Sequence, residues 1–312
     1  MSEQSVECII KLMTSQKVWF AKNVIICYTS IMIKERSKIK IVVIICICAA
    51  ILLAAVAGFF ILRRISNVND APQSMLPDHQ EAESEEIEFD PWPDLPKNEL
   101  DNNLFYNENG LLKYPGAECG IDVSSWQGEI DWFAVADSGI DFAVIQFGYR
   151  GYSEGGLNID EYFIYNIEGA QTAGIKTGVY FFSQAISIQE AIEEADFVIN
   201  TLDGYNIDLP VYYDWEYIES EARTDNITGD EMTSFARAFC DRIAEAGYTP
   251  GLYFGLRQGY SSYDLSQLDD LTFWLAEYNS EPTFIYSFDM WQYSASGIVN
   301  GIEGTVDVNI RW

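Results

Sequence analysis

Four carboxylates could do chemistry together: Asp122 in Gly120-Ile-Asp-Val-Ser-Ser-Trp-Gln-Gly, Asp214 and Glu216 in Tyr213-Asp-Trp-Glu, and Asp307 in Val306-Asp-Val-Asn. In an extended strand, residues i and i+2 project from the same face, about 6.5–7 Å apart along the chain, so Asp214 and Glu216 share a site. Crowding carboxylates raises the pKa of at least one of them, because each charge opposes the next ionisation. One acid that keeps its proton near neutral pH and another that stays ionised are what cleavage of a glycosidic bond requires. The first protonates the leaving oxygen and the second stabilises positive charge at the sugar. An Asp-x-Glu tripeptide also occurs at solvated or cation-binding strand ends, so the setting must decide. A single histidine, His79, excludes a His-rich zinc site and paired catalytic imidazoles, and neither a metal nor a cofactor is expected.

Positioning these groups requires strands that end at one place. Short runs rich in Val, Ile, Tyr and Phe predict strands at 120–124, 142–147, 176–183, 210–214, 250–254, 272–277, 290–293 and 306–309. Amphipathic stretches predict helices at 131–138, 160–173, 188–201 and 230–246, the last with Thr228 as cap and Gly247 as stop. The alternation predicts an α/β fold, a TIM-like (β/α) barrel of eight strands whose outer helices are reduced because the last gaps are short or polar. Such a barrel gathers its site at the C-terminal ends of the strands, where Asp122, Asp214 and Glu216 fall.

The 312 residues carry a net charge of −30, which argues against a nucleic-acid partner. The charge divides after Arg64, with +6 over residues 1–64 and −36 over residues 65–312. The division follows an uncharged, proline-free apolar run, residues 41–62, long enough as a helix to cross a bilayer core of about 30 Å. Lys34, Arg36, Lys38 and Lys40 before it, against Arg63 and Arg64 after it, place the N-terminus in the cytoplasm and the remainder outside. The expected organisation is a cytoplasmic segment 1–40, a transmembrane signal-anchor helix 41–62 in the cytoplasmic membrane, an acidic Pro-containing extracellular linker 63–110 and a barrel 111–312. Ala55-Val-Ala offers a rival cleavage site that would release a secreted protein, but apolar residues continue past it. Met32-Ile-Lys-Glu-Arg would make an ordinary start for an anchored protein, so residues 1–31 need not be translated. Residues 104–114 predict a hairpin that opens the folded part, and Cys119 and Cys240 are expected as small buried hydrophobes.

The motifs Gly120-Ile-Asp-Val-Ser-Ser-Trp-Gln-Gly, Ile130-Asp-Trp, Tyr213-Asp-Trp-Glu, Trp274-Leu-Ala, Trp291-Gln-Tyr and Val306-Asp-Val-Asn resemble, in order, those of the glycoside hydrolase family 25 lysozymes, N-acetylmuramidases. The resemblance covers about 190 residues. It implies a flattened eight-stranded barrel acting on peptidoglycan glycan strands, with Glu216 as general acid/base. It further implies that Asp214 orients the substrate's 2-acetamido group, and that Asp122 and Asp307 complete an acidic floor. Many members carry histidine where this chain has Phe181, which puts substrate contacts there in question. A chitinase-type site would add an acid at the position of Tyr212, and a non-catalytic wall-binding barrel would not need all four acids.

Sugar rings present apolar faces that flat aromatics cover at little entropic cost, although core packing is the ordinary fate of a barrel aromatic. The candidates are Tyr149, Tyr180, Trp215, Trp274, Tyr278 and Trp291, with Tyr180 and Trp291 preferred. Asn279 and Gln292 could supply hydrogen bonds. Arg150 could meet a muramic lactyl carboxylate or pair with a local acid.

Overall fold

The computed structural model describes residues 90–312. The expected cytoplasmic segment 1–40, the apolar run 41–62 and the expected linker residues 63–89, His79 among them, lie outside the described residues. Among the described ones, no helix is long and apolar enough to cross a membrane.

The described chain begins with a hairpin of β1 (Tyr106–Glu108) and β2 (Leu111–Lys113). β3 (Glu118–Val123) leads through α1 (Trp132–Asp137) to β4 (Phe142–Arg150), which folds back on β5 (Leu157–Ile159). Then follow α2 (Phe163–Thr172), β6 (Lys176–Ser183), α3 (Ile188–Leu202), β7 (Val211–Trp215), α4 (Gly229–Glu245) and β8 (Pro250–Gly255). The short α5 (Leu256–Ser261), β9 (Thr272–Ala276), β10 (Met290–Gly297) and β11 (Val306–Arg311) complete the fold. All eight expected strands and four expected helices are present. The two elements not anticipated, β5 and α5, are too short to show a period. α4 starts where expected: the Thr228 side chain accepts from the Glu231 backbone N–H, and Glu231 reaches back to Thr228.

Strands β3, β4, β6, β7, β8, β9, β10 and β11 close into a barrel, with β5 outside it. Seven strands are parallel, and β11 runs antiparallel to both β10 and β3. The eight strands and the reduced outer helices are as expected, and only the direction of β11 departs from the parallel order of a (β/α) barrel. The connection at residues 298–305 is too short for a parallel crossover, which takes about a dozen residues or more, so the chain turns straight back. Reversal puts the N-terminal end of β11 beside the C-terminal end of β3, and Asp307 pairs in register with Asp122.

Large rings plug the barrel below the mouth: Phe142, Tyr212, Tyr253 and Trp274 form one buried cluster inside, separate from the larger core between strands and helices. Gly120 and Gly251 make room for two of them. A Cβ on Gly120 would lie 2.2 Å from the Phe142 ring, and one on Gly251 2.4 Å from Tyr212. Arg311 closes the bottom, ion-paired with Glu118 and lying over the Phe142 ring.

The expected extent of the linker is corrected as well. From Asp90 onward the chain packs on the side of the barrel where β9, β10 and β11 carry no long helix. Leu95 and Leu111 are buried in the outer core. The Tyr286 hydroxyl donates to Asp90 at 2.6 Å and accepts from the Trp92 backbone N–H at 2.8 Å, while the Lys97 ammonium sits 4.3 Å over its ring. Lower down, Phe105 meets Trp291 edge-on, and Tyr293 accepts from Leu112 N–H. Residues 90–110 therefore belong to the folded body. Cys119 and Cys240 are buried free thiols, each directed at a backbone carbonyl.

Candidate active site

The strand ends surround a cavity of about 390 Å³ at the mouth of the barrel. Asp122 from β3, Asp214 and Glu216 from β7 and its extension, and Asp307 from β11 all line it. The alternation along β7 brings the pair together: Tyr212, Asp214 and Glu216 point inward, and Tyr213 and Trp215 outward.

One oxygen of Asp122, Oδ2, accepts from Gln292 Nε2 and from Asn309 Nδ2, each at 2.8 Å. Those donors are themselves fixed. Tyr253 and Tyr278 hydroxyls donate to Gln292 Oε1 at 3.0 and 2.7 Å, and Trp274 Nε1 donates to Asn309 Oδ1 at 2.9 Å. Burial pushes the Asp122 carboxyl up to about 6, with the two amides working against that rise. Asp307 donates to Asp122, and burial with the neighbouring Asp122 and Glu216 charges raises it to about 9. Glu216 is raised to about 7, by burial first and then by Asp122. Asp214 is held well above the ordinary carboxylate range by burial and by the charges of Glu216 and Asp122. Its Oδ1 is buried without a hydrogen-bond partner in the protein, which leaves it available to a ligand. The cavity therefore pairs acids that keep protons near neutrality with one carboxylate stabilised by side-chain amides.

Of the proposed sugar contacts, Tyr180, Trp274, Tyr278 and Gln292 line the cavity. Gln292, however, is engaged at both ends of its amide and acts on Asp122 rather than on a ligand. Trp215 and Trp291 do not line it. Each neighbours an inward residue on its strand, so each points into the outer core; Trp291 donates there to the Glu277 carbonyl. Tyr149 is carried past the rim into the β4–β5 hairpin, opposite Asn158. Asn279 donates to Glu277. Arg150 is buried against α3, 2.7 Å from Glu194 and 2.8 Å from Glu193, so it meets local acids. Phe181 packs outward among Phe147, Phe197 and Phe239, away from substrate, so the departure from histidine there leaves the cavity wall untouched.

Several residues that hold or line the site lie outside the candidates that the sequence offers. Asn309 lies two residues beyond Asp307 on the same strand, a spacing that could have marked it. Gln146 and Phe182 line the cavity, and Trp126 stands half exposed at the rim. Trp126 is presented by a 3-10 turn, Ser125–Gln127, in which Ser124 and Gln127 cap one another. Asp160 ties that turn to the base of α2, accepting from the N–H groups of Ser125 and Tyr162.

A family model described as glycosyl hydrolases family 25 matches residues 121–302. The autolytic lysozyme of Clostridium acetobutylicum is 31% identical over 191 residues, covering 61% of this chain and 54% of its own length. Lysozyme M1 of Streptomyces globisporus is 31% identical over 203 residues, covering 61% and 66%. The chain thus spans less than two thirds of either curated relative. The crystal structure of the lysozyme from Streptomyces coelicolor superposes with a TM-score of 0.52 at 27% identity, covering 62% of this chain and 92% of that one.

Proposed function

The chain belongs to glycosyl hydrolases family 25, and from that premise we propose that it is a muramidase, hydrolysing the β-1,4 bond between N-acetylmuramic acid and N-acetylglucosamine in peptidoglycan. The observation that carries the proposal is the mouth cavity, in which four carboxylates crowd together and two of them, Glu216 and Asp307, are pushed to about 7 and about 9. Glu216 gives its proton to the glycosidic oxygen as the bond to the anomeric carbon breaks. The oxygen of the 2-acetamido group, whose N–H donates to the unpartnered Oδ1 of Asp214, forms the new bond to that carbon. Water then attacks the same carbon, Glu216 takes back a proton, and the acetamido group is released with retained configuration. Asp122 supplies the fixed negative charge beneath the sugar, and Asp307, protonated, holds Asp122 in place.

The test is release of reducing ends from purified cell walls by the full-length chain. Glu216→Gln should lower kcat by about 10²–10⁴-fold, the usual contribution of a general acid. Wild-type kcat/KM should fall as the pH rises through about 7, where Glu216 loses its proton. Wild-type protein that releases no reducing ends from any peptidoglycan would end this reading.

The site of action is the outer face of the cytoplasmic membrane, with residues 41–62 as anchor. Support comes from the length of that uncharged run and the lysines and arginine before it. The full-length chain should stay with membranes after alkaline extraction, and external protease should digest the barrel of intact protoplasts. Recovery of a soluble product beginning near residue 58 would instead assign secretion.

A further inference from the structure

Glu216 lies just beyond the barrel's backbone ladder. The last paired residue of β7 is Trp215 on the β6 side, opposite Ser183, and Asp214 on the β8 side, opposite Tyr253. The residues that follow, Tyr217, Glu219, Ser220 and Glu221, are exposed. Nothing in the sheet itself fixes the backbone that carries the proposed acid.

Two buried glutamines take over where the ladder stops. Gln258, on α5 just after β8, donates from Nε2 to the Trp215 carbonyl at 3.0 Å. Gln184, one residue past the end of β6, donates from Nε2 to the Glu216 carbonyl at 3.0 Å. The other end of each amide is tied as well. Gln258 Oε1 accepts from the Gly255 N–H at 2.8 Å, and Gln184 Oε1 accepts from the Thr224 hydroxyl at 2.7 Å. The strand carbonyls, which can only accept, and the donors at the other ends fix which end of each amide faces β7. Gln184 is fully buried and Gln258 nearly so. Arg223 strengthens the Gln184 side, donating to the Gln184 carbonyl and pairing with Glu190 at 2.7 Å.

We infer that Gln184 and Gln258 are positioning residues for the reaction: from the two flanking strands they extend the sheet by side-chain hydrogen bonds and hold Glu216 at the scissile bond. The inference rests on the proposal that Glu216 is the general acid. A displacement of about 1 Å at such a group costs on the order of 10²-fold in rate, which sets the expected size of the effect.

The test uses the full-length chain with Gln184→Met and Gln258→Met, singly and together, and Gln258→Glu. Met removes the amide, whereas Glu keeps an acceptor for Gly255 N–H and loses the donor until it is protonated. On solubilised peptidoglycan each Met variant should lower kcat about tenfold and the pair about a hundredfold, with KM within about twofold. Gln258→Glu should recover part of its loss at acid pH, where the carboxyl donates again. Carbon-13 carboxyl titration, assigned with Glu216→Gln, should show the Glu216 pKa falling in the Met variants as the freed carboxyl meets water. If the Met pair does not fold, Gln258→Glu carries the test by itself. A kcat within twofold of wild type, or a loss confined to KM, with an unmoved Glu216 titration would overturn the inference. If wild-type protein has no activity on any wall, the muramidase reading falls, and the titration alone decides whether the glutamines hold Glu216.

Discussion

Asp214 carries the clearest stability consequence of any single residue. Burial, Glu216 and Asp122 raise its pKa, so the folded chain binds that proton more tightly than the unfolded chain, whose value is near 3.8. The resulting stabilisation is complete below the unfolded value and disappears as the pH rises through the folded one. Asp214→Asn removes the titration. The variant should therefore melt above wild type at pH 7–8, with the gap closing toward pH 4, and it should be catalytically crippled. Each kcal/mol of difference appears as about 2–4 °C in Tm for a domain of this size. A gap that widened toward acid pH would contradict the assignment of Asp214 as a carboxyl held neutral. The acids themselves were legible in the sequence, because i and i+2 on a strand is a strict geometric relation. The aromatics were less so: Trp215 stands between Asp214 and Glu216, and Trp291 beside Gln292, so alternation already denied both a place in the cavity. Phe182 and Gln146 obey the same rule, Phe182 two residues beyond Tyr180 on β6 and Gln146 two beyond the inward Val144 on β4, so alternation places both in the wall.

At the scale of elements, strand and helix periods located the barrel closely, because each buries one face and repeats it. Residues 90–105, ahead of the hairpin that the sequence does predict, escaped that logic. Their prolines and acids resemble a spacer, and their apolar side chains, Trp92, Leu95, Leu100 and Phe105, follow no period because they fit an irregular aromatic surface rather than a groove. This segment covers the side of the barrel that lacks long helices. A chain starting at residue 104 should lose about 3 kcal/mol relative to one starting at residue 90, the order expected from exposing Leu95 and the buried part of Trp92. Urea midpoints compare the two directly, and equal midpoints would mean that the segment is only draped on the surface. The direction of β11 was also hidden, since a short polar connection excludes a helix without stating which way the next strand runs.

Taken whole, the part of the chain after Arg64 carries −36 against the proposed substrate, peptidoglycan, whose peptide stems are also anionic. Such a pair repels across solution, and screening acts over about 10 Å at 0.1 M salt. Digestion of insoluble walls should quicken as salt rises from about 0.01 to 0.15 M, while hydrolysis of a short uncharged oligosaccharide should change little. Slower digestion with added salt would point instead to a cationic docking surface. The antiparallel closing strand has a consequence in time. Asn309 bonds to Asp122 across 187 positions of sequence, and Asp307 arrives on the same last strand. A chain still being synthesised holds Asp214 and Glu216 but no closed barrel around them. The proposed site is thus assembled only when the final strand is delivered, and an unfinished chain is an inert one.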